Sequence, residues 1–216
     1  MISAVLFDLD GTLRDSIGAL RRAYHEFLAD FGCVGSDAEF DALNGPSLSE
    51  IAARLTETHR LPLPLKELEK LFFDRQKRAL AAGVPLHAGA RELLGRLADR
   101  GVSLGLATSS PRDEVEGYLR DMRLTSFKVV VCGDDVERSK PDPALYNLAV
   151  RRVGEDAAHC AAVEDAPNGV ISAKRAGLKV VAVSHHASPQ LLQESGADAV
   201  ATSLPEVLDA LDLEGS

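Results

Sequence analysis

The chain has 216 residues, of which 45% are hydrophobic and 26% are charged, a balance typical of a folded globular protein. Its 24 basic and 33 acidic residues leave a formal net charge of −9, which argues against a general nucleic-acid binder, because such a protein needs a basic surface. No apolar run approaches the roughly 18 residues that a membrane-spanning helix needs. A small phosphorylated partner is compatible with this charge, since one pocket can be locally positive.

The N-terminal residues and the cysteines both indicate a cytoplasmic protein. Residues 1–5 lack the basic stretch of a secretory leader and lead directly into an apolar run. The three cysteines, Cys33, Cys132 and Cys160, are odd in number and show no CxxC spacing. Cys132 and Cys160 lie in apolar, strand-like contexts, so we predict that both are buried free thiols.

The first predicted element is a short buried strand over Ala4–Phe7 that ends at two carboxylates. Side chains two positions apart on an extended chain lie on the same face, so Asp8 and Asp10 are predicted to point to one location. Two carboxylates aimed together repel each other unless a cation or a shared proton intervenes. The pair therefore favours a metal-dependent enzyme over a structural protein.

Residues 15–85 show helical periodicity only, which predicts a helical block inserted after the first strand. The predicted helices are Ile17–Phe31, Asp37–Leu43, Leu48–His59 and Leu65–Ala82. We expect linkers near Arg14–Asp15 and Val84–Leu86. The chain would then divide into a core domain of residues 1–14 and 86–216 and a helical cap domain of residues 15–85.

After the helical block, short apolar segments alternate with helical patterns, which is typical of βαβ units and a parallel sheet covered on both faces. The predicted strands are Ser103–Ala107, Lys128–Val131, Cys160–Val163, Lys179–Val183 and Ala199–Thr202. The predicted helices are Ala90–Arg100, Arg112–Asp121, Ala144–Val153, Gly169–Ala176, Pro189–Glu194 and Pro205–Leu211. The expected fold class is α/β, with a Rossmann-like parallel sheet flanked by helices.

Polar side chains follow four of the predicted strands, where ligands bind in open parallel sheets. These clusters are Asp8 with Asp10, Thr108-Ser109-Ser110, Lys140, and Glu164-Asp165. We predict that Ser110 caps the following helix, with Pro111 at its first position. Thr108 and Ser109 would then be left on an exposed turn that can hold an anion.

In order and spacing, the four clusters resemble the four motifs of the haloacid dehalogenase superfamily. The first motif is Asp-Leu-Asp-Gly-Thr-Leu at residues 8–13, the second is Thr108, the third is Lys140, and the fourth is Glu164-Asp165. The resemblance covers the whole chain, including a helical insertion where the subfamily with a small helical cap carries its cap. It implies a Mg²⁺-dependent phosphatase of small phosphorylated metabolites, such as sugar phosphates.

The resemblance also assigns the catalytic and metal-binding roles. Asp8 would be the nucleophile that forms an aspartyl-phosphate, and Asp10 would be the general acid and later the base. Mg²⁺ would be held by the Asp8 carboxylate, the Asp10 backbone carbonyl and Asp165. Glu164 would act through water or by orienting its neighbours.

The resemblance places phosphate binding on three further groups. Lys140 would neutralise Asp8 and the transferring phosphoryl group. Thr108 and the backbone N–H of Ser109 would hold the other phosphoryl oxygens, where positioned donors stabilise developing charge.

Three alternatives differ in what they require of the sequence. The dehalogenases need no metal and lack the second acid, so Asp10 disfavours that reaction. A β-phosphoglucomutase-like enzyme shares the core motifs, but it uses a His in the first cap helix and an Arg in a cap loop. Leu20 stands at the former position, and residues 44–49 contain no Arg. A binding module without turnover predicts damage to the four motifs, and none is seen.

Other polar residues carry weaker predictions. Substrate specificity would come from the cap, with Arg21, His25, Asn44, Ser47 and Arg54 as candidates. We also expect a monomer.

Several residues near the predicted linkers are interpreted without a catalytic role. Asp15 is predicted to cap the first cap helix. His185 and His186 are interpreted as loop residues, because adjacent side chains point apart and do not share a metal easily. His87 is interpreted as an ordinary loop histidine.

Overall fold

The structure is a computed structural model that describes residues 1–43, 46–81 and 83–211. Within these residues, six parallel strands form a single sheet. They are β1 (Ala4–Phe7), β2 (Ser103–Ala107), β3 (Phe127–Val131), β4 (Cys160–Glu164), β5 (Lys179–Val183) and β6 (Ala199–Ala201). The predicted α/β fold class is confirmed, and the strand boundaries agree to within one residue.

Ten α-helices accompany the strands within the described residues. They are α1 (Ile17–Ala29), α2 (Asp37–Ala42), α3 (Leu48–His59), α4 (Leu65–Leu80), α5 (Ala90–Asp99), α6 (Arg112–Asp121), α7 (Ala144–Val153), α8 (Pro167–Arg175), α9 (Pro189–Glu194) and α10 (Leu204–Ala210). Two 3₁₀ turns lie at Gly133–Asp135 and Ala157–His159. Helix α8 begins two residues before its predicted start, because Pro167 is preorganised for the first helical position.

The strand order β3-β2-β1-β4-β5-β6 places the first strand at the centre of the sheet. In the register, Phe7 lies opposite Leu106 of β2 and opposite Val163 of β4. The chain winds outward in one direction from β1 to β3 and in the other from β4 to β6. A crevice for ligands is expected where the winding reverses, beyond the carboxyl end of β1.

Both faces of the sheet are buried, which explains the continuous apolar character of its strands. Along β1, Val5 and Phe7 belong to one hydrophobic cluster, which includes residues of α5, α6 and α10. Ala4 and Leu6 belong to the cluster on the other face, which includes residues of α7 and α8. The alternation follows directly from the period-two geometry of an extended chain.

Helices α1–α4, called the cap helices below, have a hydrophobic cluster of their own, in which Phe27, Leu55 and Phe72 are almost fully buried. Their two connections to the rest of the chain run side by side. The Asp15 amide donates to the Pro85 carbonyl at 3.0 Å, and the His87 amide donates to the Leu13 carbonyl at 2.9 Å. The division into domains 15–85 and 1–14 with 86–216 stays a prediction.

Two further expectations concern the thiols and the membrane. Cys132 and Cys160 are buried free thiols, as predicted, and Cys33 is a half-buried free thiol. Among the described residues, no helix has both the length and the apolar character that crossing a bilayer requires.

The separate cluster of the cap helices predicts how two leucines differ in their effect on stability. Leu55 of α3 is fully buried, whereas Leu71 of α4 is 42% exposed. Leu55→Ala is expected to lower the free energy of unfolding by about 2–5 kcal/mol, because it removes buried methyl groups and leaves a cavity. Leu71→Ala is expected to change it by less than about 0.5 kcal/mol. Denaturant unfolding checks both values, and equal effects would contradict this account of the cap core.

Candidate active site

The chain after β1 is held so that Asp8 lies at the switch point of the sheet. The Asp8 amide continues the pairing with β4 by donating to the Val163 carbonyl at 3.0 Å. Gly11 follows with a φ of +88°, and a Cβ at this position would lie 2.2 Å from Oδ2 of Asp165. Only glycine satisfies both the left-handed backbone and the close approach of that carboxylate.

Lys140 connects the ends of β1 and β4 through its buried ammonium group. Its Nζ lies 2.6 Å from Oδ1 of Asp8 and 2.6 Å from Oε1 of Glu164. It also donates to the Ala107 carbonyl at 3.0 Å. Tyr146 donates its hydroxyl to the same Glu164 oxygen at 2.6 Å. Because Lys140 is only 2% exposed, its charge is balanced by these carboxylates rather than by water.

Three buried carboxylates, Asp8, Glu164 and Asp165, form what we call the carboxylate site. One oxygen from each lies within 4.8 Å of the others. Burial is the main reason that the pKa of Asp8 rises to about 7. Glu164 and Asp10 also raise this pKa, whereas Lys140 lowers it. Burial also raises the pKa of Asp165 well above its ordinary value. One lysine therefore supplies too little positive charge for three ionised carboxylates.

The residues of the carboxylate site fit a divalent cation. Oδ1 of Asp165 accepts from the Thr12 hydroxyl at 3.0 Å, whereas its Oδ2 is buried and has no hydrogen-bond partner among the described residues. A buried, unpartnered carboxylate oxygen is costly unless a cation binds it. Oxygen donors of this kind are typical ligands of Mg²⁺.

Asp10 has a different environment, because both of its oxygens are held by hydrogen bonds. Oδ1 accepts from Nε of Arg14 at 2.8 Å, and Oδ2 accepts from the Ser110 hydroxyl at 2.7 Å. Burial acts to raise the pKa of Asp10, but Arg14 and Ser110 together lower it below its ordinary value. The prediction that Ser110 caps the next helix is wrong, because α6 begins at Arg112 and Ser110 bonds Asp10 instead.

Arg14 is a buried residue in a segment whose sequence predicts only a linker. Its side chain is 1% exposed, and its guanidinium pairs with both Asp10 and Glu114. The guanidinium also lies 4.6 Å from the centre of the Tyr118 ring. No local pattern could reveal this arrangement, because Glu114 and Tyr118 are about a hundred positions away in the chain.

Thr108 and Ser109 lie at the end of β2, in the same cleft as Asp8 and Lys140. The Thr108 amide donates to the Val131 carbonyl at 3.0 Å, and its hydroxyl oxygen accepts from the Ser110 amide at 3.2 Å. The Ser139 hydroxyl donates to the Ser109 hydroxyl oxygen at 2.6 Å. The structure therefore brings together all the residues that the four motifs nominate.

The cleft extends from these residues to the cap helices, whose contribution is largely apolar. The apolar lining from the cap includes Leu20, Leu48, Ile51, Phe73 and Leu80. The polar side chains next to it are Gln76 and Lys77 of α4 and Glu114 of α6.

Two of the predicted specificity residues, Arg21 and His25, contact helix α2. Arg21 pairs with Asp37 at 3.0 Å and with Asp41 at 2.9 Å, away from the cleft lining. His25 lies 3.1 Å from the same Asp37. A polar helix position can pair with a neighbouring helix or face a ligand, and sequence periodicity does not distinguish the two cases.

Two of the remaining specificity candidates, Ser47 and Arg54, do not line this cleft among the described residues. Ser47 caps α3 through a reciprocal pair with Glu50 and lines an adjacent cavity. Arg54 is exposed and does not line the cleft in the described part of the chain. Asn44 lies outside the described residues. Arg21, His25 and Arg54 do not line this cleft among the described residues, and their role in specificity stays a prediction.

A second group of polar residues lies at the two linkers of the cap. Asp15 does not cap α1, whose N-cap position is Ser16 and which has no side-chain cap hydrogen bond. Nε2 of His87 lies 4.0 Å from Oδ1 of Asp15 instead. The His87 ring stacks on His185, with the ring centres 3.9 Å apart. His87 is thus part of a side-chain cluster and not an isolated loop histidine.

Known proteins resemble this chain over most of its length. The family model described as haloacid dehalogenase-like hydrolase matches residues 5–183. The chain is 30% identical over 213 residues to the phosphorylated carbohydrates phosphatase of Thermotoga maritima, a match that covers 97% of this chain and 98% of that protein.

A second relative is longer than this chain. The bifunctional riboflavin kinase/FMN phosphatase of Arabidopsis thaliana is 31% identical over 211 residues, or 97% of this chain, and the chain spans only 53% of that protein. Among solved structures, CbbY from Rhodobacter sphaeroides in complex with phosphate superposes with a TM-score of 0.83 at 30% identity. That match covers 99% of this chain and 100% of CbbY.

The buried position of Arg14 predicts a large effect of removing its charge. Arg14→Gln is expected to lower the free energy of unfolding by about 3–5 kcal/mol, because Asp10 and Glu114 are left without their counter-ion. Arg22→Gln, at an exposed position of α1, is the matched control and is expected to have little effect. The double variant Arg14→Gln/Glu114→Gln is expected to recover part of the loss. Denaturant unfolding measures all three, and no recovery would contradict the pairing.

The raised pKa values of the carboxylate site predict how pH acts on the metal-free protein. The pKa of Asp8 is 3.8 when unperturbed and about 7 in the folded protein, so the folded state binds the extra proton between these values. Stability is therefore expected to fall as pH rises across that window.

A divalent cation replaces the missing proton, so Mg²⁺ is expected to raise the melting temperature more above pH 7 than below pH 5. The Asp165→Asn variant is expected to lose most of this Mg²⁺ effect. Thermal unfolding with Mg²⁺ and with EDTA measures it, and an effect of Mg²⁺ that is independent of pH would contradict the carboxylate-site assignment.

Proposed function

The chain belongs to the haloacid dehalogenase-like hydrolase family and is a hydrolase of phosphate monoesters, and we propose that it is a Mg²⁺-dependent phosphatase of small phosphorylated metabolites. The observation that carries the proposal is the buried Lys140 ammonium, 2.6 Å from Oδ1 of Asp8, beside the carboxylate site. Relatives that are named as phosphatases act on phosphorylated carbohydrates and on FMN. A sugar phosphate or a related metabolite is therefore the proposed substrate class.

The proposed reaction begins with Asp8 as the nucleophile. Its carboxylate attacks the phosphorus atom, a bond forms from the carboxylate oxygen to phosphorus, and the ester oxygen leaves with its electron pair. Lys140 fixes the orientation of Asp8 through the 2.6 Å contact and favours its ionised form. Water then hydrolyses the aspartyl-phosphate, which releases inorganic phosphate and restores Asp8.

Asp8, the Asp10 backbone carbonyl and Asp165 would hold Mg²⁺, with Glu164 acting through water or by orienting its neighbours. When bound, the ion would neutralise charge on the carboxylates and on the phosphoryl oxygens. Thr108 and the Ser109 backbone N–H would bind the phosphoryl oxygens at the end of β2.

Asp10 is the proposed general acid for the leaving oxygen and the base for the attacking water. In the conformation seen here, Arg14 and Ser110 occupy both of its oxygens and lower its pKa. A carboxylate in that state has no proton to give. Proton donation therefore requires Asp10 to exchange at least one of these partners for the substrate oxygen, and we propose that closure of the cap helices over the substrate accompanies this change.

A β-phosphoglucomutase-like reaction is less well supported by the cap residues. The resemblance to that branch calls for a His where Leu20 stands, and Leu20 lines the cleft as an apolar side chain. An apolar group there offers no partner for a second phosphate and no base for a sugar hydroxyl. Hydrolysis with water as the acceptor places no such requirement on this position.

We further propose that the enzyme works as a monomer in the cytoplasm. Buried free thiols at Cys132 and Cys160 are compatible with a reducing compartment. The acidic net charge of −9 disfavours nucleic acid as a partner and leaves a small metabolite as the proposed one.

The decisive experiment is the release of inorganic phosphate from a panel of phosphorylated metabolites, with Mg²⁺ and again with EDTA. We expect metal-dependent release from one chemical class of compound. Asp8→Asn is expected to lower kcat by more than roughly 10³-fold while the fold is kept, since the nucleophile is lost. Asp99→Asn, an exposed carboxylate on α5, is the matched control and is expected to retain full activity.

Two results would overturn the proposal in different ways. Conversion of β-glucose 1-phosphate to glucose 6-phosphate without phosphate release would favour the mutase. Release that persists in Asp8→Asn would show that Asp8 is not the nucleophile.

A further inference from the structure

The two linkers of the cap helices bring together side chains that are far apart in the sequence. Asp15 lies in the first linker and His87 in the second, and the backbone bonds of both residues join the linkers to each other. His186 lies in the loop between β5 and α9, on the core side of the same junction. We call Asp15, His87 and His186 the hinge cluster.

The hinge cluster presents three potential ligand atoms to one space. One oxygen of Asp15 and one ring nitrogen from each histidine lie within 4.8 Å of one another. Nε2 of His87 is buried and has no hydrogen-bond partner among the described residues. Its distance of 4.0 Å from Oδ1 of Asp15 is too long for a hydrogen bond. A buried ring nitrogen that faces a carboxylate without bonding to it calls for a third group between them.

A further histidine keeps the His87 ring in place. The ring of His185 stacks on that of His87 with an interplanar angle of 25°. Nδ1 of His185 lies 3.0 Å from the Gly11 carbonyl oxygen, which anchors this stacked ring to the chain after β1. Burial and the neighbouring His185 lower the pKa of His87 to about 4, so its imidazole is neutral at physiological pH. A neutral imidazole is the form that binds metals.

We propose that Asp15, His87 and His186 form a second metal site, which takes Zn²⁺ or a similar borderline divalent cation and is separate from the carboxylate site. Two imidazoles and one carboxylate make a three-ligand set that leaves one position of a tetrahedral zinc ion open to water. Mg²⁺ prefers oxygen ligands, so this set selects against the ion proposed for the carboxylate site.

The distances in the hinge cluster require only local movement to bind the ion. Zinc ligands at about 2.0–2.1 Å from the metal lie about 3.4 Å apart in a tetrahedron. Asp15 and His186 are exposed, so their side chains can rotate until the ligand atoms reach the spacing that zinc requires. His87, the partly buried member, would stay fixed by its stacked neighbour.

The position of the site gives the bound ion a structural effect. It would connect both linkers of the cap helices to a loop of the core. Relative movement of cap and core would then be restrained from the hinge, at a distance from the residues that bind phosphate.

The site is tested with Co²⁺ as a spectroscopic probe and Zn²⁺ as a competitor, on the full chain in saturating Mg²⁺. Nitrogen-rich sites of low coordination number give Co²⁺ a visible absorption that six-coordinate oxygen sites lack. We expect one equivalent of Co²⁺ to develop this absorption and Zn²⁺ to abolish it. His87→Gln and His186→Gln are each expected to weaken binding by more than roughly 100-fold, since even the loss of supporting residues costs about 10- to 100-fold.

Two comparison variants separate this site from others on the protein. Asp165→Asn alters the carboxylate site and is expected to leave the Co²⁺ spectrum unchanged. His159→Gln removes an exposed imidazole outside the cluster and is also expected to have no effect. Zn²⁺ in saturating Mg²⁺ is expected to raise the melting temperature of the unaltered protein but not that of His87→Gln.

The proposal is overturned if Co²⁺ gives no visible band, or if the band survives in His87→Gln and His186→Gln. It is also overturned if the band is lost in Asp165→Asn but kept in the histidine variants. None of these measurements depends on turnover, so a failure of the phosphatase proposal would not affect them.

Discussion

The buried ammonium of Lys140 is the interaction on which the candidate active site depends. It lies between Asp8 and Glu164 at 2.6 Å from each, where water cannot screen or replace it. Three carboxylates meet there because the ends of β1 and β4 lie side by side at the switch point of a parallel sheet. The fold thus creates a deficit of positive charge, which a divalent cation can fill.

Much of this architecture is predictable from the sequence, because the signals are local. The strands are short apolar runs, and each of the four motifs directly follows one or lies on the loop that leaves it. Side chains alternate between the two faces of an extended chain. This alternation correctly places Val5 and Phe7 on one face of β1 and Leu6 on the other.

Local sequence patterns do not predict interactions between residues that are distant in the sequence. Ser110 carries the local pattern of a helix cap, yet Asp10, one hundred positions away, takes its hydroxyl. Arg21 is a candidate specificity residue by its position in the cap, and its pairing with carboxylates of the neighbouring helix α2 is not visible in the sequence pattern. In both cases a charged residue of another element binds the side chain. Sequence periodicity carries no information about such partners.

The burial of Arg14 between Asp10 and Glu114 has a consequence for how this sequence can vary among relatives. Loss of the arginine alone leaves two carboxylates in the interior without their counter-ion, and loss of the glutamate alone removes one of the two buried partners of the guanidinium. A paired exchange for apolar residues removes Glu114 together with its counter-ion, so it costs less stability than loss of the arginine alone. Positions 14 and 114 are therefore expected to covary across an alignment of close homologues.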